Sequence, residues 1–284
     1  MIQNNTHKYS VSAMCLVLKI PRSTYYYDAT RMEKEEPFTD LVVQIFRESR
    51  NNYGARRIKA ALRKKGYHLS RRRIRRIMKE NGLVSNYTVA QYKVHTGKTR
   101  ETTIPNRLNR QFSDHAPYAA IVSDLTYVRA GGKWHYICIL ADLYNREIVG
   151  YSAGPHKTAA LVLEALSKVK GNLNQVQLFH TDRGSEFNNR VMAEALRVFN
   201  IQPSMSMKGC PYDNAVSEAT FKTFKIEFIY QHQFDDLSHL LRELADYINW
   251  FNRWRLHSTL GYNSPLEYKS LYLHNPPSQP VESL

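Results

Sequence analysis

From Tyr118 onward, short apolar runs and helical patterns follow one another in an order that few folds accept. Runs at 119–122, 134–140 and 148–152 are apolar or β-branched. Gly131-Gly132 and Tyr144-Asn-Arg-Glu147 separate them, which predicts three antiparallel strands in a meander. A helix over 158–170, a buried strand over 176–179, a helix over 188–199 and a short strand over 201–205 follow. Strands first, then strands alternating with helices, predict an α/β fold in which a mixed five-stranded sheet carries helices on its faces. Residues 214–230 read as a further helix. Beyond it Leu240, Leu241, Leu244, Tyr247, Ile248 and Phe251 recur at three- and four-residue steps, the pattern of a long amphipathic helix whose role is core packing.

The first part of the chain is different in kind. Residues 1–110 hold 24 Lys and Arg against 8 Asp and Glu, whereas 111–284 hold 16 against 17, so the net charge of +15 is entirely N-terminal. Such a lopsided basic region is the electrostatic footprint of a polyanion, and nucleic acid is the usual one. Residues 10–27 read as a small helix, a turn and the start of another helix. Leu41, Val42, Ile45 and Phe46 form a helical stripe, a second helix ends at Gly66, and Ser70 caps a third over 71–80. That third helix sets Ile74, Ile77 and Met78 on one side and Arg71, Arg72, Arg73, Arg75 and Arg76 around the rest. Five arginines within six positions repel one another without a polyanion, so this helix is predicted to lie on DNA. Residues 84–117 have little periodicity and read as a linker laid along DNA.

Cys15, Cys138 and Cys210 are isolated, which suggests neither a disulfide framework nor a cysteine-based zinc site and fits a reducing cytoplasm. No apolar run approaches the roughly 18–20 residues that span a bilayer, so no membrane role is expected.

The chemistry is expected from three carboxylates. Asp124 is predicted just after the first strand, Asp182 just after the fourth, and Glu218 on the helix over 214–230, with 35 residues between the last two. Strand ends are where open α/β sheets gather functional groups. A cage of hard oxygens suits Mg²⁺ or Mn²⁺ and the cutting or joining of phosphodiesters. Either Asp alone is equally a turn or cap residue. Polar groups crowd 180–186, directly after a buried strand, and Lys222 and Lys225 lie four and seven residues after Glu218 on nearly the same helical face.

The motifs Asp124-Leu-Thr-Tyr127, His180-Thr-Asp-Arg-Gly-Ser-Glu-Phe187 and Pro211-Tyr-Asp-Asn-Ala-Val-Ser-Glu218 with Lys225, and the stretch from Trp250-Phe-Asn-Arg through Leu256-His-Ser-Thr-Leu-Gly-Tyr-Asn-Ser-Pro265, resemble the transposases of insertion-sequence family three. Tyr53-Gly-Ala-Arg-Arg-Ile58 through Asn81-Gly-Leu83 resembles the helix-turn-helix of the same proteins. The resemblance implies an RNase H-like core over 118–272. Ahead of it stand an all-α DNA-binding region over 37–83 and a helical segment over 1–36, itself a small helix-turn-helix. The linker at 84–117 and a tail at 273–284 complete the division.

The resemblance further implies that Asp124, Asp182 and Glu218 are catalytic and bind two divalent ions, Mg²⁺ or Mn²⁺. Lys225, Lys222, Arg183, Arg56, Arg57 and the arginines of 71–76 would bind DNA, both terminal inverted repeats and target. Such enzymes cut one strand at an element end and use the freed 3′-hydroxyl as nucleophile, here by way of a circular intermediate. Paired ends call for at least a dimer, and the expected location is the cytoplasm of a bacterium, on the nucleoid. Relatives are often made as a fusion with an upstream reading frame; no sustained heptad precedes residue 110, so this chain reads as the second frame. Ile121 stands where many relatives have Trp, a packing change. Cys15 is the only cysteine before residue 138, so the His-His-Cys-Cys zinc unit of retroviral integrases is not available. Tyr25, Tyr26, Tyr27, Trp250 and Trp254 are candidates for base stacking, with core packing the default. Two other readings are a DNA-binding regulator or inactive remnant, and a structure-selective nuclease on the same scaffold that hydrolyses without joining.

Overall fold

A computed structural model describes residues 2–29, 37–88, 103–169 and 173–272. Two short helices, α1 (Val11–Val17) and α2 (Arg22–Ala29), open the chain. A three-helix unit follows: α3 (Thr39–Glu48), α4 (Ala55–Lys64) and α5 (Arg71–Glu80). Its core is Val42, Ile45, Phe46, Ile58, Leu62, Ile74 and Ile77, the apolar stripes expected of the three helices. Arg50 and Asn51, at φ 55° and 60°, turn the chain between α3 and α4. The Ser70 hydroxyl accepts from Arg73 N at 3.2 Å and so satisfies an orphan donor at the start of α5.

The sheet is mixed and five-stranded. Strands β1 (Ala120–Ala130), β2 (Lys133–Asp142) and β3 (Ile148–Gly154) form an antiparallel meander. Helix α6 (Ala159–Ser167) leads to β4 (Leu178–Thr181), and α7 (Arg190–Val198) leads to β5 (Gln202–Met205). Both later strands run parallel to β1, giving the order β3-β2-β1-β4-β5. Gly131 and Gly132 close the β1–β2 hairpin at φ 55° and 75°, the positive pair that a two-residue turn between twisted strands requires. A side chain at Gly131 would also meet the Asp235 carbonyl oxygen at 2.6 Å.

Helices cover both faces. On one, Leu161, Val162 and Leu166 of α6 and Met192 and Leu196 of α7 pack on Ile121, Cys138 and Leu140. On the other, Phe221 and Phe224 of α8 (Ala215–Glu227) and Leu240, Leu244 and Tyr247 of α9 (Leu237–Arg253) pack on Val128, Ile137 and Ile139. From Ile137 to Ala141 successive residues of β2 thus point to opposite, buried faces, which explains the continuous apolar run there. Each such large side chain contributes roughly 1.5–3 kcal/mol on burial. The last helix, α10 (Pro265–Tyr272), packs against α9.

Of the segment read as a linker, residues 84–88 lie against the three-helix unit, where the Ser85 hydroxyl donates to Asn52 O at 3.0 Å, and residues 103–117 lie on the sheet domain. Leu108 is buried with Ala120, Val122, Ala141 and Leu143, and the Ser204 hydroxyl accepts from Arg107 N and Leu108 N at 2.9 and 3.1 Å. Residues 89–102 and the expected tail at 273–284 fall outside the described residues.

Candidate active site

Asp124 does not follow the first strand; it stands within it, opposite Ile139 of β2. The apolar run ends at Val122, but β1 continues because Thr126, Val128 and Ala130 are buried while Tyr127 and Arg129 face out, an alternation that the polar pair Ser123-Asp124 interrupts. Asp124 shares its face with Val128, the face covered by α8 and α9.

Asp182 follows β4, as the sequence suggests. The parallel ladder ends at the pair Val122–His180, so Asp124, still within β1, and Asp182, just past β4, each stand two residues beyond it. Neighbouring strands lie about 4.8 Å apart, so the two carboxylates emerge side by side. Asp124 Oδ1 accepts from Leu125 N at 2.7 Å, and Asp182 Oδ1 accepts from Gly184 N at 2.9 Å. Burial, with the Asp182 charge second, pushes Asp124 up to about 7. Asp182 is also raised, by burial first and then by the nearby charge of Glu186.

Two lysines, Lys157 and Lys225, oppose that rise at Asp124. Lys225, in the last turn of α8, was expected from the sequence. Lys157 was not. It follows β3, at the far edge of the sheet, and no motif marks it. Its ammonium lies 2.9 Å from Glu186 Oε1, whose side chain is only 2% exposed. Glu186 Oε2 is buried and accepts no hydrogen bond among the described residues. Gly184 lies directly over this carboxylate, where a Cβ would collide with it. The signal available for Glu186 was its place in the polar turn after β4.

Glu218 occupies the exposed first turn of α8, where partial desolvation raises its carboxyl. Among the described residues no three Asp, Glu, His or Cys side chains gather as a metal-holding group. Asp124 and Asp182 lie close enough for the charge of Asp182 to raise Asp124, and Glu218 is carried by α8, which packs on the face of β1 that bears Asp124. The entry to α8 is tied to the sheet through buried Asp213. Its carboxylate accepts from Met207 N at 3.0 Å and Arg110 Nε at 2.7 Å, and its carbonyl lies 2.9 Å from His180 Nε2. Ser204 Oγ lies 2.9 Å from His180 Nδ1. Since Asp213 O can only accept, His180 carries its proton on Nε2 and Ser204 donates to Nδ1.

The basic residues divide by environment. Arg56, Arg71, Arg72, Arg75, Arg76 and Lys222 are exposed. Arg73 stacks over the Phe38 ring at 4.9 Å, and Arg183 Nε donates to Ser206 O at 2.8 Å. Arg57 turns inward, 3.8 Å from Glu227 and over the rings of Tyr53 and Tyr87. Trp250 is core, whereas Trp254 is 66% exposed. No helix among the described residues is long and apolar enough to cross a membrane.

Comparison with known proteins finds an HTH-like domain model over residues 33–91 and integrase core domain models over 114–211 and 218–273. InsK of insertion sequence element IS150 from Escherichia coli K12 is 30% identical over 267 residues, covering 92% of this chain and 94% of that protein. Transposase InsF for insertion sequence IS3A of the same strain is 29% identical over 283 residues, covering 95% and 97%. Among solved structures, a simian T-cell lymphotropic virus intasome aligns at TM-score 0.46 and 14% identity over 78% of this chain and 72% of that one. The catalytic core of BIV integrase aligns at TM-score 0.38 and 16% identity, over 55% and 95%.

Proposed function

Because the chain belongs to the transposases of insertion-sequence family three, we propose that it cuts DNA at the ends of an insertion sequence and joins the freed 3′-hydroxyl to a new phosphodiester, by way of a circular intermediate. Asp124, Asp182 and Glu218 are the catalytic carboxylates in this reading. The observation that carries it is that Asp182, just past the end of β4, lies close enough to Asp124 of the parallel neighbour β1 for its charge to act on that carboxyl. The pair is costly as it stands, because desolvation raises both carboxyls and the Asp182 charge further resists ionisation of Asp124.

The donor set fits divalent cations. Carboxylate oxygens are the hard ligands that Mg²⁺ and Mn²⁺ prefer, and a cation between Asp124 and Asp182 would offset the repulsion that raises them. Two such ions, held by these residues with Glu218 completing the set, would stabilise charge on the attacking and leaving oxygens of a phosphodiester.

The remaining groups bind and orient. Lys225 and Lys157 border Asp124 and are placed to hold phosphate oxygens, Lys157 being anchored by Glu186. In this reading Arg56, Arg71, Arg72, Arg75, Arg76, Arg183 and Lys222 contact the DNA backbone. Pairing of two ends calls for at least a dimer, acting alone or fused to an upstream-frame product.

The test is incubation with a terminal-inverted-repeat duplex and Mg²⁺, followed by product analysis. Nicked and joined strands are expected, and both are lost in Asp182→Asn and Glu218→Gln. Full activity of Asp182→Asn refutes the mechanism, and hydrolysis without joining turns the reading into that of a nuclease.

A further inference from the structure

The motif at 250–265 closes the seam between the three-helix unit and the sheet domain. At its centre Glu227, the last residue of α8, has a side chain with 0% exposure and faces Arg255 at 3%. Arg255 Nε donates to Glu227 Oε2 and Oε1 at 2.7 and 3.0 Å, and a second guanidinium nitrogen donates to Oε1 at 2.9 Å. The hydroxyls of Tyr87 and Tyr247 donate to the same carboxylate at 2.6 and 3.1 Å. The third guanidinium nitrogen donates to His257 Nε2 at 2.9 Å. Burial first, then the charges of Arg255, Arg57 and Arg146, hold His257 neutral and so able to accept.

The three-helix unit is tied into this network by two groups of its own. Arg57 reaches Glu227, and the Tyr53 hydroxyl accepts from Leu256 N at 2.7 Å while donating to Trp254 O at 3.2 Å. Leu256 itself belongs to the core of that unit. Trp250 Nε1 donates to Glu48 O at 3.1 Å, and Lys64 Nζ to Asn263 Oδ1 at 2.8 Å.

An apolar seam would join the two parts without the desolvation of two charges. What directional bonds around a buried ion pair add is a single register, because any slip leaves a buried charge without partners. Glu227 lies nine residues from Glu218 on one helix, about 13–14 Å along its axis at 1.5 Å per residue. We infer that Glu227 and Arg255 are positioning residues. Their buried network sets the register of the arginine-bearing helices against Asp124 and Asp182 and so selects the phosphodiester that is cut. The inference rests on the transposase reading above for its substrate.

The test uses the full chain. Glu227→Leu combined with Arg255→Met removes both charges at similar volume, so the fold does not face one uncompensated ion. Spin labels at Glu80→Cys and Val198→Cys, two exposed sites, in a Cys210→Ser background report the distance between the parts by pulsed electron resonance. A narrow distribution is expected with the network intact and a broadened or displaced one without it. On an end-labelled inverted-repeat duplex with Mg²⁺, cutting at the native phosphodiester should fall by about 100-fold and spread to its neighbours, with DNA affinity changed less than about twofold. Should the double variant fail to fold, Tyr87→Phe is read in the same two assays and gives the same changes to a smaller degree. A folded variant that keeps the native distance distribution, or the native cutting position and rate, overturns the inference. Broadening of the distances in a protein whose native form cuts no DNA retains the clamp and sinks the transposase reading.

Discussion

Replacing Asp124 with Asn should stabilise the metal-free protein, and only at high pH. Folding raises this carboxyl from its ordinary 3.8 to about 7, chiefly by burial and secondarily by the charge of Asp182. Its protonated form therefore contributes stability that is complete below about pH 4 and is lost as pH rises through 7. At about 1.4 kcal/mol per pH unit, holding the ionised form in the folded state above pH 7 costs roughly 4 kcal/mol. Asparagine is nearly isosteric, never ionises, and keeps an oxygen for the Leu125 N–H. The buried amide has its own desolvation cost, so about half the gain should survive. At 2–4 °C per kcal/mol for a chain of this size, the melting temperature at pH 8 in EDTA should rise by roughly 4–8 °C. At pH 5 the difference should vanish or reverse. Adding Mg²⁺ or Mn²⁺ at pH 8 should raise the native melting temperature and leave the variant nearly unmoved. The assay is a melt over a pH series with and without metal. A difference that is the same at pH 5 and pH 8, or a native protein that is the more stable at pH 8, refutes the account of the acid pair.

Arg255→Met alone strands a fully buried Glu227 carboxylate and should cost about 3–5 kcal/mol in urea unfolding. The additional change Glu227→Leu should restore much of that loss. Exchanging the exposed Arg71, Arg72, Arg75 and Arg76 for Ala should lower the slope of log affinity against log salt by roughly one for each phosphate that is no longer neutralised, measured by mobility shift. Lys157→Ala should slow nicking on an end substrate with little effect on DNA affinity; an unchanged rate argues against phosphate binding there. Gly131→Ala should cost roughly 1–3 kcal/mol, because the residue sits at φ 55° against the Asp235 carbonyl.

Much of the fold was legible because its signals are local. Apolar period, caps and the Gly131-Gly132 turn are read within a dozen residues, and they placed the helices and strands, though β1 ran on past Val122 through a polar pair that hides its alternation. The charge imbalance, the spacing of three acids and the family motifs were equally legible. Strand order was not, since it depends on which faces meet. The parallel pairing of β1 with β4 brings Asp124 within reach of the Asp182 charge, and the return of the chain from β3 brings Lys157 to Glu186. The same holds for Arg57, one more arginine in a basic stretch until a buried Glu227 from 170 positions later takes it inward. It holds also for 250–265, a motif whose partners lie in the three-helix unit. The amino-acid sequence by itself determined most of the elements, the charge division and the spacing of the acids, because those follow from neighbours along the chain. Only the tertiary structure decided which acids meet, which cations face them and what locks the two parts together, because buried charges take their partners from whatever the packed faces bring within reach.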